Sequence, residues 1–564
     1  MRRRPRSRQA RPDGRDGRPA GGRPRRDLGQ PAQRGPAGDR RPGRRRSPRV
    51  GEPAGLGDPR PAGGDRRGAV AGRRALHRTR GRQGPRDGAG LRRPHRAVRR
   101  PRRDPRARAE ETAVIRRSAG EIARLLAADL RGDPETPVAG VAIDSRAVQP
   151  GNLFVALPGA RVDGRDFTPA AAAAGAAAVL LTRPLDLDLP QIVAPDALAA
   201  LQRLAAAERS AAAYRLAAVT GSIGKTTTKE FLTALLGTSF PVGCTSGNRN
   251  SETGFPVELC NQSEGIAWMV AELGMSHAGE LDRLGAIAQP DAVLITVVAP
   301  VHLEFFPDLD AIAEAKAELI RHLGLDGLLV LNAGDPRVAA FAPRFSGTVL
   351  RFGAPGGSDL WIEDYQGRGL LGATFALAGP LGRVPVEWSL PGRHQADNLL
   401  AAATLALALG VVPEDVAATA TRLRPAPRRG EVHALGNGVA LVDDSYNSSP
   451  EAAGALLALL AATPGRRVAV LGEMLELGPT SAALHREVGR QAAAAADVVV
   501  AVGGVGAAEL AQAAAGAETH RTATAAEALE LVRSLVRPGD VVLVKGSRGV
   551  GLDAVADGLL AEAC

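Results

Sequence analysis

Residues 219–229 read VTGSIGKTTTK, a glycine-bearing turn that runs into a lysine and a row of threonines. In such a turn the backbone N–H groups of Gly221, Ser222, Ile223 and Gly224, with the N-terminus of a following helix, face a phosphate. Lys225 would then reach the β- and γ-phosphates of a nucleotide, and the hydroxyl of Thr226 or Thr227 would bind Mg²⁺. The common phosphate loop is G-x-x-x-x-G-K-[ST], which puts Val219 where its first glycine belongs. The stretch is either an accidental match or a shortened variant.

Lysine usage picks out further chemistry. The chain has four lysines, Lys225, Lys229, Lys316 and Lys545, against 68 arginines, so lysine is kept mainly where arginine is no substitute. A guanidinium stays protonated, whereas a buried ammonium can lose its proton and act as a nucleophilic amine. Lys316 stands in the helical stretch AIAEAKAELI, after the loop APVHLEFF that carries His302 and Glu304 beyond a strand ending near Val298. Glu272 closes another strand in WMVAELG. Ligands of open parallel sheets bind beyond the carboxyl ends of the strands. Glu272 and His302 are thus placed to share a metal beside a triphosphate.

The elements that must hold these groups are legible from residue 113 onward. Strand-like apolar runs alternate with Ala/Leu-rich helical patterns, which argues α/β architecture with parallel sheets. Residues 113–212 carry VAGVAI, NLFVAL, AAVLL and QIVA and end in an Ala-rich helix over 196–213. Residues 213–430 begin with RLAAVT, the strand feeding the phosphate loop, continue through WMVAELG, DAVLITVV and GLLVLN, and close on a helix over 395–410. Residues 431–564 place VALVDD, RVAVLG, DVVVAVGG and DVVLVKG between helices, a compact Rossmann-like pattern.

Net charge misleads until it is divided. The chain carries +12 overall, but residues 1–112 hold 36 Arg and 11 acidic residues, while 113–564 hold 36 basic and 49 acidic ones. The Arg/Gly/Pro-rich first part has too few apolar side chains to offset chain entropy. We read 1–112 as a disordered arm, upstream sequence joined by a misplaced start rather than a native arm for nucleic acid. Between Met1 and Met269 there is no methionine, so a true start would use another codon, near Val114. No signal-peptide pattern and no run of about 18 apolar residues occurs, which predicts a cytoplasmic protein without a membrane span. Cys244, Cys260 and Cys564 are too widely spaced for a disulfide framework or a C-x-x-C metal site.

Eight motifs then fall in one order: TGSIGKTTTKE, GNRNSETGFP, AELGMSHAGE, APVHLEFF with AEAKAEL, PGRHQADNLLAA, RRGEVHALGNGVALVDDSYNSSPEA, GEMLELGPTSAALHREVG and LVKGSRGVGLD. Together they resemble the Mur ligases, in the branch that adds D-alanyl-D-alanine to a UDP-N-acetylmuramoyl-tripeptide. That family uses a shortened G-x-x-G-K-T loop. The resemblance implies three α/β domains: a small uridine-nucleotide-binding domain, a central P-loop ATPase-like parallel sheet and a C-terminal Rossmann-like domain.

It also implies roles by position. Gly221 to Thr227 would cradle ATP; Thr226 and Glu272 would bind one Mg²⁺ and His302 a second. Lys316 resembles the family's carbamylated lysine, an amine converted to a metal-bridging anion. Asn398 would lie near the adenine, with Arg429 and Asp444 contacting ATP from the hinge and the last domain. Gln395 stands where related ligases often carry asparagine. Asp144, Ser145 and Arg146 would hold the UDP-sugar end; Tyr446, Asn447 and Ser448 would position the dipeptide, with Lys545 and Arg548 as further candidates. The implied enzyme is a monomer that binds small molecules rather than nucleic acid. Folylpolyglutamate synthases share the loop, but DSYNSSP and GEMLELG favour the Mur branch; the D-N-P-R signature of the diaminopimelate-adding branch is absent. A basic-arm nucleic-acid-binding NTPase is the competing class.

Overall fold

The computed structural model describes residues 115–159 and 162–562. The expected arm over 1–112 and Cys564 lie outside them. Three large sheets organise the rest, each mostly parallel as the α/β expectation requires, beside a small antiparallel pair, Arg116–Ser118 with Pro137–Ala139.

The first sheet runs Asp129–Arg131, Gln191–Val193, Ala178–Leu181, Leu153–Val155, Val141–Ala142 in spatial order. Its neighbours are parallel except at the Asp129–Arg131 edge. The helix Ala197–Ala211 leads out of it, started by Asp196, whose carboxylate accepts the N–H groups of Leu198 and Ala199.

The second sheet has nine strands and holds the phosphate loop. Arg215–Thr220 lies between Trp268–Glu272 and Ala292–Ile295, and every pairing from Val242–Cys244 through to Leu360–Gly367 is parallel. Side chains alternate across it: Leu216 and Ala218 enter one apolar core, shared with the first sheet's Leu153 and Ile192, while Ala217 and Val219 enter another with Phe231 and Trp388. A strand buried on both faces reads as an unbroken apolar run, and RLAAVT is such a strand.

The sequence reading ends one strand near Val298; the structure ends it at Ile295. Beyond that point Thr296 and Val297 turn toward the phosphate loop. The antiparallel extension made by Leu360–Gly367, Ala373–Gly379 and Gly382–Trp388 is absent from the sequence reading. Leu360–Gly367 and Gly382–Trp388 are half exposed with polar residues among them, and the largely buried Ala373–Gly379 offers only the short apolar run Phe375–Ala378.

The third sheet orders Glu431–Ala434, Ala440–Asp444, Val541–Lys545, Arg467–Gly472, Val498–Val502 and Glu518–Thr522, parallel except at its first edge. Helices cover both faces over two apolar cores. No helix among the described residues is long and apolar enough to cross a membrane.

Candidate active site

The phosphate loop connects Arg215–Thr220 to the helix Lys225–Leu236, and its two glycines meet steric demands. Gly221 has φ +145°, and a Cβ there would lie 1.9 Å from the Thr296 hydroxyl; Gly224 has φ +80°, and a Cβ would lie 2.4 Å from Asn398 Oδ1. Only glycine satisfies both the backbone and the space. The neighbouring strand end pins the loop. Ser222 N donates to Val297 O at 2.7 Å, Thr296 Oγ1 donates to Ile223 O at 2.7 Å, and Ala299 N donates to Ser222 Oγ at 2.9 Å.

Lys225 folds over this loop and donates to the carbonyls of Gly221 and Ser222, both at 3.0 Å. Desolvation lowers its pKa, and the Glu272 charge opposes that shift. Thr226 Oγ1 donates to Glu272 Oε2 at 2.6 Å, and Asn250 Nδ2 donates to Oε1 at 2.7 Å. The Glu272 backbone N–H donates to Thr245 Oγ1 at 3.0 Å. A buried carboxylate is thus fixed at the helix N-terminus where phosphates bind.

Lys316 is 2% exposed in the last turn of Leu309–Ala317 and has no hydrogen bond or ion pair among the described residues. Burial, then the Lys225 charge, holds its pKa well below the usual lysine value, which favours the neutral amine. His302 Nδ1 lies 2.5 Å from Glu476 Oε2, a residue of the third sheet's loops. Desolvation lowers the His302 pKa, while Glu476 pulls it back up.

One cavity of about 900 Å³ joins the central and C-terminal parts. From the loop side Ser222, Ile223, Gly224, Lys225, Thr226 and Thr227 line it, together with Glu272, His302 and Asn398. From the far side come Arg429, Asp444, Tyr446, Asn447 and Ser448, with Lys545 and Arg548. Arg429 lies over the Tyr446 ring at 4.0 Å to its centroid. Lys545 pairs with Asp444 and donates to Asn447 O at 3.0 Å, so both ends of the DSYN segment are tied to one buried ammonium. Gln395, whose part the sequence leaves open, donates from Nε2 to Arg429 O at 3.1 Å and keeps a buried, unpartnered Oε1.

Gly221 and Lys316 are not among the residues that line it. Asp144, Ser145 and Arg146 are not in the lining either. There Asp144 caps a short 3₁₀ turn, and the exposed Arg146 guanidinium holds the Asp144 pKa at about 2. Glu431, His433 and Asp443 also cluster with metal-ligand spacing, but the Arg428 amide donates to Glu431 and its guanidinium lies 3.6 Å from Asp443. That pocket of charge already has its cation.

Three family models match the chain in succession: "Mur ligase family, catalytic domain" over residues 137–219, "Mur ligase middle domain" over 219–406 and "Mur ligase, glutamate ligase domain" over 428–548. A Mycobacterium bovis protein named UDP-N-acetylmuramoyl-tripeptide–D-alanyl-D-alanine ligase is 37% identical over 469 residues, covering 75% of this chain and 92% of its own. The chain belongs to the Mur ligase family.

Solved Mur ligases share its architecture. MurF from Acinetobacter baumannii superposes with a TM-score of 0.73 at 31% identity, covering 79% of this chain and 99% of that one. MurF from Thermotoga maritima in complex with ADP gives 0.66 at 30% identity, covering 75% and 97%. In this Mur ligase, sequence alone gives the residues of GNRNSETGFP no role; the structure sets Asn250 of that motif on Glu272. Likewise GEMLELG carried no site residue, yet its Glu476 and Leu477 reach the cavity. A polar loop residue has no periodicity to reveal its partner, and the motif itself was the signal available.

Proposed function

We propose that this Mur ligase joins D-alanyl-D-alanine to UDP-N-acetylmuramoyl-tripeptide with cleavage of ATP to ADP and phosphate, completing the pentapeptide precursor of peptidoglycan. The observation that carries the reading is the phosphate loop facing Arg429, Asp444 and Tyr446 across a single cavity, in a chain so similar to ligases of that name. In this reading residues 113–212 hold the uridine end, with Asp144, Ser145 and Arg146 as its polar contacts. Residues 213–430 hold ATP, and 431–564 bring the dipeptide, positioned by Tyr446, Asn447 and Ser448. One chain supplies every group, in keeping with a monomer, and the nucleotide-linked substrates suit the cytoplasm.

A carboxylate is a poor acylating agent, so the tripeptide's terminal carboxylate first takes the γ-phosphoryl group and ADP leaves. The dipeptide's amine then attacks the acyl carbon of that mixed anhydride; phosphate departs and an amide, with one proton released, remains. Lys225, released from the Gly221 and Ser222 carbonyls, neutralises charge on the transferring group. Asn398 lies against Gly224, where it supports the adenine side of the loop. Thr226 and Glu272 offer the hard oxygens that suit one Mg²⁺, His302 would stand at a second, and a carbamate on Lys316 would add further oxygens. Bound there, Mg²⁺ supplies further neutralisation of phosphoryl charge. Reaction with CO₂ requires an uncharged amine, the form that burial of Lys316 favours by lowering its pKa. Closing the cavity keeps water from the anhydride.

The test is phosphate release with each substrate alone and with both. Release that requires both, together with the pentapeptide mass, is expected. Turnover with neither, or only with a folate and glutamate, would sink the proposal.

A further inference from the structure

The loop carrying His302 and the loop carrying Glu476 come from different sheets, and they meet through three contacts. Glu476 Oε2 lies 2.5 Å from His302 Nδ1. The Glu304 backbone N–H donates to Glu476 O at 3.0 Å. Gly478 approaches so closely that a Cβ would lie 2.9 Å from Leu303 O.

Both partners also adopt costly backbone conformations: His302 has φ +59° and Glu476 φ +64°. Left-handed backbone in non-glycine residues persists only where surrounding contacts over-determine it, and it concentrates at functional sites. Here the strained residues face each other, one from each side of the cavity. A carboxylate only accepts hydrogen bonds, so the shared proton sits on Nδ1 of His302 and the lone pair is left on Nε2.

We infer that Glu476 is a positioning residue: supplied by the C-terminal unit, it fixes the His302 ring and tautomer, so that docking of that unit completes the phosphoryl-transfer site. The inference rests on the reading of His302 as a site ligand given above. It assigns Glu476 a part in coupling closure of the cavity to chemistry, through His302 rather than by touching substrate. A ligand histidine whose far nitrogen is held by a carboxylate is better oriented and more basic, and loss of such a partner typically costs about 10–100-fold in metal affinity or activity.

The experiment uses the full chain. Glu476→Gly removes the carboxylate while keeping a residue that accepts positive φ, and Glu476→Gln keeps the size. Both retain the backbone bond to Glu304, and the side chain is 47% exposed, so the fold tolerates them. Long-range proton–nitrogen spectra of ¹⁵N-histidine-labelled, metal-free protein, with the His302 signal identified by its loss in His302→Gln, read the tautomer directly. We expect Nδ1–H in the parent protein and its loss in Glu476→Gly. In the ligase assay the same variant should lower kcat by about 10–100-fold and raise the Mg²⁺ concentration needed, with the tripeptide KM little changed. In a His302→Gln background it should add nothing, because the two act as one unit.

An Nε2–H tautomer in the parent protein, or an unchanged tautomer in Glu476→Gly, would overturn the inference. So would a shifted tautomer with unaltered Mg²⁺ dependence. Failure of the functional proposal shows separately, as absence of ligation by the parent protein while the tautomer measurement still reads out.

Discussion

Gly224 leaves no room for a side chain. Its φ of +80° and the nearby Asn398 Oδ1 predict that Gly224→Ala costs about 1–3 kcal/mol in backbone strain and weakens nucleotide binding; urea unfolding and an ADP titration check the two effects. Lys225→Ala should leave the fold intact by circular dichroism and lower turnover on the order of 10²–10³-fold, as loss of a charge-stabilising donor does. Lys316→Arg should abolish activity, since a guanidinium cannot become a carbamate and would be a fixed charge in a pocket with no partner among the described residues. Stripping bicarbonate from the parent protein should lower activity reversibly, and unchanged turnover in bicarbonate-free buffer would rule out the carbamate. Lys225, Thr226 and Glu272 could be read from sequence because each sits at a fixed place relative to a strand end. Asn250 and Glu476 could not, because what they touch lies across a gap of sequence that no local pattern spans.

At the scale of elements, the loop after Arg467–Gly472 explains how Glu476 is held. His485, fully buried, accepts the Met474 N–H at Nε2 and donates from Nδ1 to Ser481 O; Ser547 Oγ accepts the Leu475 N–H; Glu473 accepts the N–H groups of Gly504 and Gly506. Burial lowers the His485 pKa, so the fold prefers the neutral ring. The unfolded chain binds that proton below about pH 6.5. Its stability contribution is therefore full above that pH and is lost as pH falls toward the lowered folded value. Urea midpoints between pH 8 and 5.5 should fall on acidification, and His485→Gln should remove up to ~1.4 kcal/mol per pH unit of that slope. An identical slope in the variant would contradict this. The parallel strands were legible because burial on both faces makes them continuous apolar runs, as in Val498–Val502. The edge strands Glu431–Ala434 and Glu518–Thr522, partly exposed and with polar residues interrupting them, carry no such run and are not legible in the sequence.

For the molecule as a whole, the family models begin at residue 137, and among the described residues Ile115 is the first to enter an apolar core. A chain that starts at residue 113 should keep the parent turnover rate. It should also show no steep loss of substrate affinity with added salt, the response that counterion release would impose on a nucleic-acid binder. The division into sheets is what makes the site: phosphate loop on one, Asp444 and Lys545 on another, and the cavity between them. The proposed mechanism turns on transfer of the γ-phosphoryl group to the tripeptide carboxylate before the amine attacks. Tripeptide labelled with ¹⁸O in its terminal carboxylate tests this directly. One labelled oxygen should appear in the released phosphate for each pentapeptide formed; phosphate free of label, or label carried off in AMP, would contradict the mechanism.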